Sequence, residues 1–187
     1  MLVRSLLEDA GYRVIPFGVE DLLRELAILD VEKYRQLDLP IALKTHPDFF
    51  IADKELKQTW LLEVKYRQRW SDETRRKLAE KIIPQVDSWN PLYVMILLGE
   101  SAYPKRQPEA CHFIRVARLG MLDGQLSVIY PDQSLRKPWN SVGWGDLFRL
   151  QDVFPNLLYG ASSGSILKAK KLVQCFKDFN FFNGGNQ

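Results

Sequence analysis

Two stretches decide the fold that this sequence predicts: HPDFFI at residues 46–51 and WLLEVKYR at residues 60–67. Both are rich in the aromatic and aliphatic residues that strands favour, and Pro47 opens the first. The charged and polar residues 53–58 between them suit a hairpin loop. The pattern therefore predicts two strands that are neighbours in the chain.

Alternation along the second strand places its charged residues on one side. Successive side chains of a strand point to opposite faces, so Glu63 and Lys65 share a face about 7 Å apart. The other face carries Trp60, Leu62, Val64 and Tyr66. If the two strands pair, Asp48 at the start of the first lies near the end of the second. Pairing therefore brings two carboxylates and one ammonium group into a single site.

This arrangement resembles the signature of the PD-(D/E)XK nuclease superfamily, which includes restriction endonucleases, Holliday-junction resolvases and RecB-type nucleases. The residues that carry the resemblance are Pro47-Asp48 and, on the next strand, Glu63-Val64-Lys65. The resemblance covers mainly residues 12–98. It implies an α/β fold with a restriction endonuclease-like αβββαβ core, in which helices flank a mixed central sheet.

The resemblance also implies a division of labour in a magnesium-dependent site. Asp48 and Glu63 would bind Mg²⁺, with the backbone carbonyl of Val64 as a further ligand and Mn²⁺ able to substitute. Lys65 would hold or help to deprotonate the attacking water and offset charge in the transition state. Glu20, early in a predicted helix, is the candidate for an additional metal-binding glutamate. A favourable charge at a helix N-terminus is the alternative interpretation of Glu20.

Basic and aromatic residues that follow the motif are candidates for contacts with nucleic acid. They are Arg67, Arg69, Trp70, Arg75, Arg76 and Lys77. Gln85, on the next predicted helix, resembles the Gln of the RecB-type Q-x-x-x-Y motif, although Trp89 replaces the Tyr. A solvent-exposed helix face is the competing interpretation of this group.

The charge distribution favours a polyanionic partner. Residues 1–64 contain 8 Lys and Arg against 12 Asp and Glu, a net charge of −4. Residues 65–187 contain 18 against 11, a net charge of +7. This asymmetry suggests DNA as the partner of the later part, and a chance imbalance on a solvated surface is the alternative.

Length and composition indicate one domain over residues 1–187, with a C-terminal α+β extension over residues 99–187. Hydrophobic residues are 46% and charged residues 26%, as is usual for globular proteins. No apolar run reaches the ~20 residues that span a bilayer, and we expect a cytoplasmic protein. Cys111 and Cys175 form no C-x-x-C pair, which argues against a structural zinc site.

The other predicted elements alternate between helix and strand. Helices are expected over residues 2–10, 19–37, 72–89, 146–153 and 165–179. Strands are expected over residues 12–17, 91–98, 112–119 and 125–130, the last two joined at Asp123-Gly124. Residues 131–145 are expected to be irregular.

Together these patterns predict a metal-dependent nuclease that hydrolyses phosphodiester bonds in DNA. An endonuclease is favoured, because nothing in the sequence indicates a helicase or processivity module. One alternative is a catalytically inactive nucleic-acid-binding protein on the same fold. A second is a structural or protein-interaction domain. The sequence leaves open whether the chain forms a homodimer.

Overall fold

The computed structural model describes residues 2–18, 31–36, 39–107, 109–132 and 135–157, which form a mixed seven-stranded sheet with helices on both faces. The strands are β1 (Arg13–Pro16), β2 (Phe49–Ala52), β3 (Thr59–Arg67), β4 (Leu92–Leu98), β5 (Ile114–Leu122), β6 (Gln125–Ile129) and β7 (Arg136–Pro138). The helices are α1 (Leu2–Asp9), α2 (Val31–Gln36), α3 (Ile41–Lys44), α4 (Asp72–Ser88) and α5 (Leu150–Val153). The predicted α/β class and the mixed sheet are confirmed.

The β2–β3 hairpin forms as the two stretches predict. The strands are antiparallel, with Phe49 opposite Leu62. The polar loop has its own internal support, since Oδ1 of Asp53 accepts hydrogen bonds from the backbone N–H groups of Lys57 and Gln58. The charged loop residues therefore close the hairpin, while the apolar residues on either side enter the sheet.

Helix α4 is the crossover connection between β3 and β4, which are therefore parallel neighbours in the sheet. The helix begins at a Ser71 cap, whose hydroxyl accepts a 3.1 Å hydrogen bond from the N–H of Thr74. Pro84 lies within the helix, as predicted. Strand β4 is buried along almost its whole length, because it lies inside the sheet with apolar cover on both faces.

Two apolar clusters, one on each face of the sheet, hold these layers together. Helix α1 and the segment around α5 cover one face, where the buried residues include Leu6, Leu7, Trp60, Leu62 and Phe154. Helix α4 covers the other, where they include Leu78, Ile82, Val86, Val94 and Ile96. Each such side chain stabilises the fold by about 1.5–3 kcal/mol when fully buried. The face of β3 that carries Glu63 is therefore the one beneath α4.

The extension, residues 99–187, contributes strands β5, β6 and β7 to the sheet. Asp123 and Gly124 adopt positive φ values of 52° and 75°, which are the conformations of a two-residue hairpin turn, and they join β5 to β6 as predicted. Within the expected irregular region, β7 pairs with β6. That correction has a simple cause: a three-residue edge strand ending in Pro138 is too short to show alternation.

The last described helix is shorter than expected. It covers Leu150–Val153 only, because Phe148 exchanges two backbone hydrogen bonds with Val116 and is therefore held as a bridge to β5. Most of the helix predicted over residues 19–37, and all of that over 165–179, lies outside the described residues; α2 falls within the first. No helix in the described part of the chain combines the length and apolarity needed to cross a bilayer.

Candidate active site

Asp48 and Glu63 lie next to each other at the start of β2. Because Phe49 is opposite Leu62, the preceding residue, Asp48, is opposite Glu63. The backbone N–H of Val64 donates a 2.7 Å hydrogen bond to Oδ2 of Asp48. The backbone N–H of Asp48 in turn donates to Oε2 of Glu63 over 3.2 Å. Strand pairing itself therefore fixes the positions of both carboxylates.

Lys65 and Gln85 complete the surroundings of the Glu63 carboxylate. The Lys65 ammonium donates a hydrogen bond to Oε1 of Glu63, on the same face of β3. Gln85 reaches the same carboxylate from α4 through its side chain. Glu63 is 3% exposed and Gln85 8%, so this group is enclosed between the sheet and the helix. The structure thus brings Asp48, Glu63, Lys65 and Gln85 together.

Burial and charge act in opposite directions on Glu63. Burial, the largest influence, raises the pKa of Glu63, and repulsion from Asp48 raises it further. The charge and hydrogen bond of Lys65 and the hydrogen bond of Gln85 lower the pKa, but the net direction is upward. In the absence of a cation, the site therefore holds more negative charge than its surroundings favour.

The amide of Gln85 is the third oxygen-bearing group at the site. Its buried Oε1 has no hydrogen-bond partner among the described residues. Leaving a buried polar atom unpaired costs about 1–3 kcal/mol, so such atoms call for an explanation. Two carboxylates and an amide oxygen are the hard ligands that Mg²⁺ prefers. Asp48, Glu63 and Gln85 are therefore the residues that could hold such an ion.

The structure describes only one of two further residues near the motif, Glu20 and His46. Glu20 lies outside the described residues, so its proposed contact with a metal stays a prediction. Neighbouring groups hold His46 in place. Its Nδ1 lies 2.9 Å from the carbonyl oxygen of Phe17, and its ring packs against those of Phe17 and Trp89. His46 is therefore a packed side chain whose ring contacts those of Phe17 and Trp89.

The basic residues after the motif divide into three groups. Arg67 shares the face of Glu63 and Lys65, and Arg69 is exposed just beyond it. Both line an open groove of about 820 Å³, together with Ser71, Asp72, Glu73, Thr74 and Lys77. The groove begins where the charged face of β3 ends, and its lining includes neither Asp48 nor Glu63.

Arg75 and Trp70 instead attach α4 to the extension. Nη1 of Arg75 donates to the carbonyl oxygen of Val142 over 2.9 Å, and the side chain is 16% exposed. The ring of Trp70 packs against those of Trp139 and Trp144. These two side chains are therefore engaged within the protein rather than presented to a ligand.

Arg76 and Lys77 lie on the exposed side of α4. Arg76 pairs with Glu80, and Lys77 pairs with Glu73, each across one helical turn. Exposed pairs of this type contribute little to stability, because solvent screens them. The local glutamates thus neutralise much of the charge that the sequence pattern assigned to DNA binding, although Lys77 also borders the groove.

A second group of candidate ligands lies outside this site and was missed in the sequence. Ligand atoms of Glu109, Cys111 and His112 lie within 4.8 Å of one another. Paired cysteines are typical of structural zinc sites, whereas this set mixes three residue types. The compact pattern Glu-Ala-Cys-His is the signal that identifies it.

A scan against protein-family models, a search of curated proteins and a search of solved structures each returned no match.

Proposed function

We propose that this protein is a metal-dependent nuclease of the PD-(D/E)XK type that cleaves DNA internally. The observation that carries the proposal is the contact among Asp48, Glu63 and Lys65 across one strand pair. The proposal includes the finer fold assignment, a restriction endonuclease-like core. The order α1, β1, β2, β3, α4, β4 is consistent with αβββαβ, with α2 and α3 inserted after β1.

The donor set fits Mg²⁺, and Mn²⁺ as its substitute. Asp48 and Glu63 would bind the ion, and the unpaired Oε1 of Gln85 would accept from one of its waters. A bound divalent ion supplies charge for the transition state and lowers the pKa of bound water. It would also offset the repulsion that raises the pKa of Glu63.

The residues themselves perform the remaining tasks. Lys65, fixed by its hydrogen bond to Glu63, presents its other N–H donors to the attacking water or to a phosphate oxygen. The ammonium charge would stabilise the extra negative charge of the transition state. Val64 holds Asp48 through its backbone N–H, which orients the carboxylate toward Glu63. Arg67 and Arg69 would hold the phosphate backbone in the adjacent groove.

A cleavage assay tests this proposal directly. The purified chain is incubated with plasmid, linear single-stranded and branched DNA over a Mg²⁺ titration, with an EDTA control. We expect nicking or linearisation of closed plasmid that requires the ion. Salt-sensitive DNA binding without cleavage of any substrate would favour the inactive DNA-binding alternative. Absence of both would favour a protein-interaction domain.

A further inference from the structure

The turn before β5 is a rigid element at the carboxyl end of β4. Residues Ala110–His112 form one turn of 3-10 helix. The carbonyl oxygen of Cys111 accepts two hydrogen bonds, from Nε of Arg115 at 3.0 Å and Nε1 of Trp144 at 2.9 Å. The N–H of Ala102 donates to the carbonyl oxygen of His112. Three separate segments therefore fix the backbone that carries the side chains of this turn.

This turn directs three different metal-binding groups to one place. Sγ of Cys111 lies 3.6 Å from Oε2 of Glu109, and the imidazole of His112 completes a set whose ligand atoms all lie within 4.8 Å. His112 is only 4% exposed and packs edge-on against Tyr103, whereas Glu109 is exposed. The group is thus buried on one side and open to solvent on the other.

We propose that Glu109, Cys111 and His112 form a binding site for a divalent transition-metal ion of the Zn²⁺ type. Thiolate, imidazole and carboxylate are the three protein ligands of Zn²⁺, and Mg²⁺ is a poor match for sulfur. Typical Zn²⁺ bond lengths place tetrahedral ligand atoms about 3.3–3.8 Å apart. The observed spread extends to 4.8 Å, so the three side chains must move closer together to bind the ion, with water as the fourth ligand.

The charge balance supports the same ligand. Binding replaces the thiol proton of Cys111, which leaves to solvent, with a bond to the metal. The resulting thiolate and the Glu109 carboxylate neutralise the two charges of the ion. Hydrogen bonds from Arg115 and Trp144 to the intervening backbone orient the ligands in the way that outer partners of metal sites do. This site is separate from the carboxylates of β2 and β3 and does not depend on the nuclease proposal.

Metal binding by the full-length chain tests the proposal, and the sequence offers matched controls. It contains two cysteines and two histidines, and one of each lies in the site. Apoprotein is titrated with Zn²⁺ and its metal content measured by mass spectrometry after desalting. It is also titrated with Co²⁺, which reports thiolate ligation by a charge-transfer band. The variants are Cys111→Ser, Glu109→Gln and His112→Gln, with Cys175→Ser and His46→Asn as controls.

We expect one equivalent of Zn²⁺ and a thiolate–Co²⁺ band in the wild type and in both controls. Cys111→Ser should abolish the band and weaken Zn²⁺ binding by at least about 100-fold, with a smaller loss for Glu109→Gln. His112 is buried, so its variant is interpreted only if circular dichroism shows a folded protein. Failure of the wild type to retain metal, or an unchanged band in Cys111→Ser, would overturn the proposal.

Discussion

The β2–β3 hairpin contains two Glu-x-Lys triplets of identical spacing in very different surroundings. At its tip, Glu55 and Lys57 form a 2.9 Å ion pair, with side chains 66% and 75% exposed. In the strand, Glu63 and Lys65 also pair, but their side chains are 3% and 24% exposed. The residue types are the same, so any difference in chemistry comes from the environment.

The two triplets differ in the groups that lie beside them. Beside the strand triplet lie the Asp48 carboxylate and the buried amide of Gln85. Beside the tip triplet lies Asp53, whose carboxylate accepts backbone hydrogen bonds within the loop. The comparison teaches that enclosure between a sheet and a helix gives one triplet buried, interacting charges and leaves the other solvated. Spacing alone does not distinguish the two.

Catalysis should show the largest difference between the triplets. We expect Glu63→Gln and Lys65→Met to reduce Mg²⁺-dependent cleavage of plasmid DNA by about 1,000-fold or more, because the proposed mechanism needs Glu63 to bind the ion and Lys65 to stabilise the transition state. Asp48→Asn should do the same. The matched variants Glu55→Gln and Lys57→Met should cleave like the wild type. Equal activity of Lys65→Met and Lys57→Met in folded protein would refute the proposed site.

Stability should show the next largest difference. Lys65→Met leaves the Glu63 carboxylate buried without its cation, which should cost about 3 kcal/mol in the free energy of unfolding. Lys57→Met removes an exposed pair and should cost less than about 1 kcal/mol. Urea denaturation in metal-free buffer measures both. Similar losses for the two variants would show that the strand pair is as well hydrated as the pair at the tip.

The pH dependence of stability sharpens the comparison further. The pKa of Glu63 is higher in the folded state than in the unfolded chain, so protonation of Glu63 stabilises the fold at low pH. This stabilisation is lost as the pH rises through the folded-state pKa. Glu63→Gln should therefore raise the melting temperature by a few degrees at pH 7 without metal. The gain should disappear below about pH 4, where the glutamate is protonated even in the unfolded chain.

Two observations check this interpretation of Glu63. Glu55→Gln should leave the melting temperature nearly unchanged at both pH values. Mg²⁺ should raise the melting temperature of the wild type more than that of Glu63→Gln, because an ion that binds only the folded state stabilises it. A lower melting temperature for Glu63→Gln at pH 7 would mean that the ion pair with Lys65 outweighs burial.

The smallest effects are expected on DNA affinity. We expect them for substitutions beside the Glu63–Lys65 triplet, such as Arg69. Arg69→Gln should reduce the dependence of log affinity on log salt concentration by up to about 0.9, the value for one lost phosphate contact. Arg76→Gln should change it less, because Arg76 is paired with Glu80. Fluorescence anisotropy at several salt concentrations measures both slopes. A larger change for Arg76→Gln would place the DNA on the outer side of α4.

Local pattern predicted much of the architecture. Aromatic and aliphatic composition identified β2 and β3, the continuous apolar run identified β4, and Asp123-Gly124 identified the β5–β6 turn. These features depend on neighbouring residues, so the sequence contains them directly. It missed β7, which is too short to show alternation, and the bridge at Phe148, which depends on a partner in β5 far away in the chain.

The candidate site shows the same limit. Strand periodicity predicted that Glu63 and Lys65 share a face and that Asp48 lies close by. It could not predict that Trp70 and Arg75 would face the extension, since Trp139, Trp144 and Val142 lie more than 60 residues away. The run of basic residues after the motif therefore predicted a larger exposed basic surface than the structure presents. The Glu109 group was missed because its turn is fixed by partners outside it.

The order of strands in the sheet, which is their order in the chain, bears on how the protein is made. Each strand pairs with its predecessor, so the sheet can grow outward as the polypeptide leaves the ribosome. Until β5 emerges, however, the apolar strand β4 is an open edge that other nascent chains can pair with. At normal rates of translation that exposure lasts roughly one to five seconds. Slower elongation through residues 99–122 would therefore lengthen the period in which chaperones are most needed.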